Sequence, residues 1–253
     1  MPRGGHLYPL PTNLRFIFFY NVCATTLWFC CLGRFLILLP LVGRRFLPGG
    51  IADFFHVVAI LPFVGFAIYK SMIDTSISKK DFWPFFNSVK MIWICYGVIF
   101  PHPKIAKHTS YSLIIFSWCI TYLISFSYYG FKVKTRRSPH WLFWAQYHNF
   151  FLTFPLAFTG ELVIIFLSLG FVEPQWHEIF IKATLLGYIP IGYFMWGHLY
   201  DRKELKFDLA MEKRRQGRAA QNQRNSNDAN QAPVVVNDAQ QHPLRESTSR
   251  ADA

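Results

Sequence analysis

Six apolar stretches separated by short polar connections dominate the chain as far as Tyr200. They run from about Leu14 to Leu32 with an apolar continuation to Val42, from Ile51 to Tyr69, from Phe82 to Phe100, from Tyr111 to Phe131, from Trp141 to Phe171, and from Ile179 to Tyr200. A helix that crosses a bilayer needs about 20 mostly apolar residues. The pattern therefore predicts an all-α, polytopic membrane protein, a six-transmembrane-helix bundle. The fifth stretch is long: about 30 residues, or about 45 Å of helix, against a hydrocarbon layer about 30 Å thick. Pro155 lies near its middle and removes one helical hydrogen bond, which predicts a kinked, tilted helix.

Beyond Phe207 the apolar periodicity fades. Lys213, Arg214 and Arg215 lead into a run rich in Gln, Asn, Ala and Ser, the composition of a disordered segment. The expected organisation is an N-terminus over 1–13, a membrane domain over 14–200, and a largely disordered basic and polar tail over 201–253. Residues 201–218 are open to a second reading, as a surface helix extending the sixth span. Pro9, Pro11 and Arg15 precede the first long apolar run, and no small-residue cleavage site follows a short one. No cleavable signal is expected there, and the first span serves as its own insertion signal.

Composition sharpens the class. Of the 253 residues 52% are hydrophobic and 16% charged, the latter below the roughly 25% of a soluble domain. A formal net charge of +12 raises the question of nucleic acid. Up to Tyr200, however, sixteen Lys and Arg stand against six acids, and the cations flank apolar runs instead of forming a basic face. That is the pattern of a membrane protein, so no nucleic-acid partner is expected. Lys132, Lys134, Arg136 and Arg137 separate the fourth and fifth stretches, while 172–177 hold no Lys or Arg. The positive-inside rule then puts the 4–5 connection, the tail and both termini in the cytosol; Arg44 and Arg45 in the first connection oppose that assignment. Cys23, Cys30, Cys31, Cys95 and Cys119 all lie in apolar runs without metal-ligand spacing and read as reduced packing residues. Neither a metal nor another cofactor is expected.

Ionisable groups within spans are costly, and each is a candidate for function. Glu161 is the sharpest: no cation occurs between Arg137 and Lys182, so its carboxylate needs a partner from another helix or must stay protonated. Either state suits general acid–base chemistry, and a structural carboxyl is the bland alternative. Lys90 in the third span is placed to pair with Glu161, to meet a phosphate or to snorkel to an interface. Asp53 and His56 lie three apart on one helix face, with Asp53 placed to cap that helix after Gly49 and Gly50. Tyr147, Phe154 and Glu161 recur every seven residues and share one helical face, each about 10.5 Å from the next.

Around that stripe the run Trp144-Ala145-Gln146-Tyr147, continuing Phe154-Pro155-Leu156-Ala157 and Gly160-Glu161-Leu162, resembles the very-long-chain (3R)-3-hydroxyacyl-CoA dehydratases, the protein tyrosine phosphatase-like, PTPLA-type family. That family's pattern reads W-A-R-Y, then Y-P-x-G-x-x-x-E-L. Tyr20-Asn21-Val22 with Trp28, His56, Ser117-Trp118, Phe126-Ser127-Tyr128-Tyr129 and Tyr188-Ile189-Pro190 are similar to further family pieces, and the resemblance covers roughly 14–205.

The resemblance implies a six-span protein of the endoplasmic reticulum membrane that removes water from a 3-hydroxyacyl-CoA to give the trans-2-enoyl-CoA in fatty-acid elongation. It implies a long-chain acyl-CoA substrate, with membrane lipid and other elongation-cycle enzymes as partners. The family's catalytic pair falls on Glu161 and on Phe154, where the family has Tyr. Phe has neither a titratable group nor a donor. Gln146 replaces the Arg of W-A-R-Y, Ala157 the Gly of Y-P-x-G, and Tyr122, Ser125 and Phe126 stand where the family has E-x-x-R-Y. Tyr147 is about 21 Å from Glu161 along a single helix, too far to substitute, whereas Tyr122 on the fourth span is a candidate replacement phenol. Tyr147, Gln146 and Lys90 are candidate substrate-binding residues. The alternative is a weak or inactive paralogue that binds acyl-CoA or scaffolds the elongation enzymes. Nothing resembles the repeated halves or coupling-ion site of a transporter.

Overall fold

The computed structural model describes residues 11–44, 46–73, 81–136, 138–171 and 175–230, and among these no strand occurs. The chain is built from α1 (Thr12–Val42), α2 (Leu47–Ala59), α3 (Leu61–Met72), α4 (Phe82–Ile92), α5 (Thr109–Thr135), α6 (His140–His148), α7 (Phe150–Ser168) and α8 (Gln175–Asn230). A π-helix, Trp93–Ile99, prolongs α4 without a gap. Among the described residues five helical stretches are long and apolar enough to cross a membrane: 12–42, 47–72, 109–135, 140–168 and 176–226. The third expected span is the sixth helical segment. It divides into eleven α and seven π residues, neither of which is long enough alone.

Local chemistry explains where these helices stop. Gly43 ends α1 at φ 74°, a left-handed conformation that costs a glycine nothing. At the start of α5 the His108 ring nitrogen Nδ1 accepts from the Ser110 amide, and at its end Arg136 turns left-handed at φ 53°. The second expected span is parted at Ile60 into α2 and α3, because Pro62 cannot donate to the turn before it. The fifth is parted as well, but at Asn149 and not at Pro155, which sits inside α7. The Asn149 carbonyl accepts from the Leu152 and Thr153 amides and from the Thr153 hydroxyl, which gathers the new helix around that point. Asp53 is not a cap: α2 begins six residues earlier, at Leu47, behind Phe46.

The first compact unit runs to Lys203. Its core is sequence made geometry. Ala24, Trp28, Cys31 and Phe35 repeat at intervals of four, three and four on α1, and Tyr111, Ile115, Trp118 and Cys119 form the facing stripe on α5. On the other flank of α5, α7 contributes Ile164 and Ile165. α8 meets the bundle through aromatic side chains, with Phe180 edge-on to Trp93, Tyr188 stacked on Phe158, and Trp196 against Phe150 and Phe154. All five cysteines are free; Cys31, Cys95 and Cys119 are buried, Cys23 and Cys30 exposed. The second unit begins at Glu204, is described to Asn230, and is helical over that length, beyond the last residue of the sixth apolar stretch. The rest of the expected tail, 231–253, lies outside the described residues.

Candidate active site

Glu161 is fully buried, and the residue before it explains how it comes to its neighbours. Gly160 faces α5 so closely that a Cβ there would lie 2.9 Å from Ile114 Cγ1 and 3.0 Å from the Ser110 carbonyl oxygen. With no side chain in the way, α7 closes on α5. Trp118 Nε1 then donates to Glu161 Oε1 at 2.8 Å. From α4, Lys90 Nζ donates to Oε2 at 2.7 Å. From α8, the Tyr188 hydroxyl donates to the same oxygen. Four helices thus converge on one carboxylate. A bare buried carboxylate is strongly disfavoured, and here a cation and two neutral donors compensate it.

Glu161 and Lys90 line a cavity of about 820 Å³, and so do Trp118, Tyr122, Gln146, Tyr147 and Phe154. The six residues given catalytic or substrate-binding roles from the sequence, Glu161, Phe154, Tyr122, Tyr147, Gln146 and Lys90, thus border one space, in different circumstances. Tyr122 stacks on Trp28 at 5.1 Å, and its hydroxyl accepts from Asn87 Nδ2 at 2.6 Å. Phe154 offers only a ring, packed on Phe158 and Trp196. Phe158 stacks in turn on Tyr188, so the phenol that reaches Glu161 stands one ring behind residue 154 and comes from another helix. Gln146 Oε1 is buried and has no hydrogen-bond partner. Tyr147 packs against Phe143 and Tyr128.

The cavity is chemically graded. Along α5 the lining residues Trp118, Tyr122, Phe126, Tyr129, Val133 and Arg136 recur every three or four positions, so one helical face forms the wall. From Trp118 to Arg136 that face extends about 27 Å. Its far end is cationic: Lys132, Arg136 and Arg202 all line the cavity, and Arg202 Nη2 donates to the Tyr129 hydroxyl at 2.9 Å.

Other sequence candidates lie elsewhere. His56 is buried against Tyr96 and Phe100, with Nε2 lacking a hydrogen-bond partner, and is outside the cavity wall. Asp53 borders a separate recess of about 400 Å³ with Arg34, Gly49 and Gly50. Trp118 and Tyr188 entered the sequence reading only as pieces of the family resemblance, without a role. The signal for that role was the need of Glu161 for donors from other helices.

Comparison with known proteins places this geometry. A family model described as protein tyrosine phosphatase-like protein, PTPLA, matches residues 56–208. The Arabidopsis thaliana very-long-chain (3R)-3-hydroxyacyl-CoA dehydratase PASTICCINO 2 is 29% identical over 82 residues, 32% of this chain and 37% of that protein. The chain thus spans little more than a third of the plant relative's length. The very-long-chain (3R)-3-hydroxyacyl-CoA dehydratase 2 of Mus musculus is 24% identical over 221 residues, 77% of this chain and 82% of the mouse protein. The beta-1,6-glucan synthesis-associated protein KEG1 of Saccharomyces cerevisiae is 27% identical over 196 residues, 68% of this chain and 88% of the yeast protein. No solved structure matches the chain.

Proposed function

The chain belongs to the protein tyrosine phosphatase-like family, PTPLA, and from that premise we propose that it dehydrates long-chain 3-hydroxyacyl-CoA to trans-2-enoyl-CoA during fatty-acid elongation. The observation that carries this reading is Glu161, held at one end of a graded cavity by donors from three other helices. The reaction needs a base for the proton on C2, next to the thioester carbonyl. Oε2 is taken up by Lys90 and Tyr188, while among the described residues Oε1 accepts from Trp118. A carboxylate oxygen offers two lone-pair sites, so Oε1 retains one for the C2 proton.

The rest of the cavity suits the substrate. The cations Lys132, Arg136 and Arg202 match the phosphates of coenzyme A. The unpartnered Gln146 oxygen matches an amide N–H of the pantetheine arm. Apolar residues such as Ile17, Phe66 and Met91 suit the acyl chain. Tyr147 contributes to the wall on the pantetheine side. By this reading the cationic end faces the cytosol of an endoplasmic reticulum membrane, with both chain termini on that side, in accord with the positive-inside rule. Membrane lipid surrounds the spans, and other elongation-cycle enzymes supply the hydroxyacyl-CoA and take up the enoyl product. Microsomes carrying the chain are expected to convert a 3-hydroxyoctadecanoyl-CoA to its enoyl product, with Glu161→Gln abolishing the conversion; equal rates with and without the chain would refute the assignment.

Two observations favour a second reading. Phe154 removes the phenol of the family pair, and the alignment with KEG1 covers 88% of that protein. In this reading the cavity binds a lipid-like ligand without turning it over, and the chain acts as a scaffold, in elongation or, like the yeast protein by its name, in association with β-1,6-glucan synthesis. The folded Glu161→Gln chain would then keep its partner association, whatever the variant loses in stability.

A further inference from the structure

We propose that Lys90 is the proton donor to the departing hydroxyl, so that the chain runs the dehydration on a lysine–glutamate couple. The proposal rests on the dehydratase reading above and identifies the acid which that reading leaves open.

A suitable donor must border the cavity, carry a proton it can give up, and touch Glu161 so that the couple can be reset. Phe154 borders the cavity and has no such proton. Tyr188 touches Glu161 but stands behind Phe158, off the cavity wall. Tyr122 borders the cavity, with its hydroxyl bonded to Asn87. Trp118 borders the cavity and touches Glu161, but an indole N–H is a donor that does not titrate. Lys90 meets all three conditions. It lines the cavity, its ammonium is 2.7 Å from Oε2, and its side chain keeps 12% exposure where Glu161 has none.

The proton balance closes within the pair. Glu161 takes the proton from C2, and the C2–H electron pair rests first on the thioester as its enolate, then forms the C2=C3 double bond. The C3–O bond breaks, and the leaving oxygen takes a proton from the Lys90 ammonium and departs as water. Glu161 is then a neutral acid and Lys90 a neutral amine. The proton on Oε1 passes through the released water to Nζ, restoring the Lys90–Glu161 ion pair for the next turnover. The positive charge also stabilises the developing negative charge on the leaving oxygen, where a fixed cation in a site of low dielectric acts most strongly.

The test uses the full chain reconstituted in vesicles with 3-hydroxyoctadecanoyl-CoA, following water loss and, in D2O, deuterium uptake at C2. Lys90→Arg keeps the cation and the contact but cannot release a proton near neutral pH. It is expected to lose about 10²-fold or more in kcat, with KM little changed and deuterium uptake preserved, because the base remains intact. Lys90→Gln, which keeps a neutral donor to Glu161, carries the same expectation if the arginine variant does not fold. Either folded variant dehydrating at the wild-type rate, or losing deuterium uptake together with water loss, overturns the proposal. A wild-type chain with no turnover overturns the dehydratase reading itself, and the proposal with it.

Discussion

At the scale of single residues, the Glu161 carboxylate is held by donors from three other helices, and its proposed work as a base depends on them. Tyr188 supports it without bordering the cavity, which makes it a positioning residue. Tyr188→Phe is expected to lower kcat with KM nearly unchanged, and to cost about 1.5–3 kcal/mol of stability, the range for a hydrogen bond to a charged group. Steady-state kinetics together with thermal unfolding check both, and a change confined to KM would contradict the role. If Lys90 is the acid, as proposed, Phe154→Tyr is expected to leave kcat within a few-fold; a large gain would return that role to position 154. Much of this site was legible in the sequence. Glu161 stood out as an acid deep in an apolar run with no local cation, and Lys90 as a cation within reach of it from another span. The contact of Tyr188 with Glu161 was hidden for a physical reason. A donor on α8 meets an acceptor on α7 only after both helices pack, and no local spacing encodes that meeting.

At the scale of the elements, α7 is held against α5 by the missing side chain of Gly160. Gly160→Ala would press a methyl against a backbone carbonyl, which cannot rotate away as a side chain can. The expected loss is about 1–3 kcal/mol, the range for overpacking, with a fall in turnover because the next residue is Glu161. A melting midpoint unchanged from the wild type would refute the close approach. Five of the six expected spans were readable among the described residues because 20-residue apolar runs are a strong signal. Their interruptions were less so. Pro62 parts the second span, yet Pro40 and Pro155 lie inside continuous helices, so proline alone did not locate the breaks. At Asn149 the turn depends on a carbonyl shared among three donors. The π-helix directly after α4 belongs with these unforeseen features, and one wide turn follows closely on Lys90.

At the scale of the whole molecule, the spans alternate so that one end gathers the start of α1 with the end of α3, and the other joins Arg44 to Thr109. The cavity's cations lie at the end of α5. With that end in the cytosol, a cysteine placed at Ser138 is expected to react with a membrane-impermeant maleimide in sealed microsomes, and one placed at Gly170 only after the membrane is opened. The reverse pattern would invert the orientation. Net charge was read correctly as a membrane signal, but charge alone left Arg44 in conflict with the assignment. Its guanidinium bonds Thr109 Oγ1 at 2.9 Å, a local structural task for that cation.

The Lys90–Glu161 contact also constrains descent. Removing either partner of a buried pair leaves an uncompensated charge, at a cost of about 3–5 kcal/mol, whereas exchanging both for apolar residues of similar volume is often neutral. A lineage in which catalysis lapsed would therefore not shed the two residues one at a time. Intermediates carrying only one would be purged for instability, whatever their activity. Related chains should hold both charges or neither, and the single mutants should be rescued by the double. Retention of the pair in this chain is then a record of history as well as of chemistry, because the route to losing it passes through a valley.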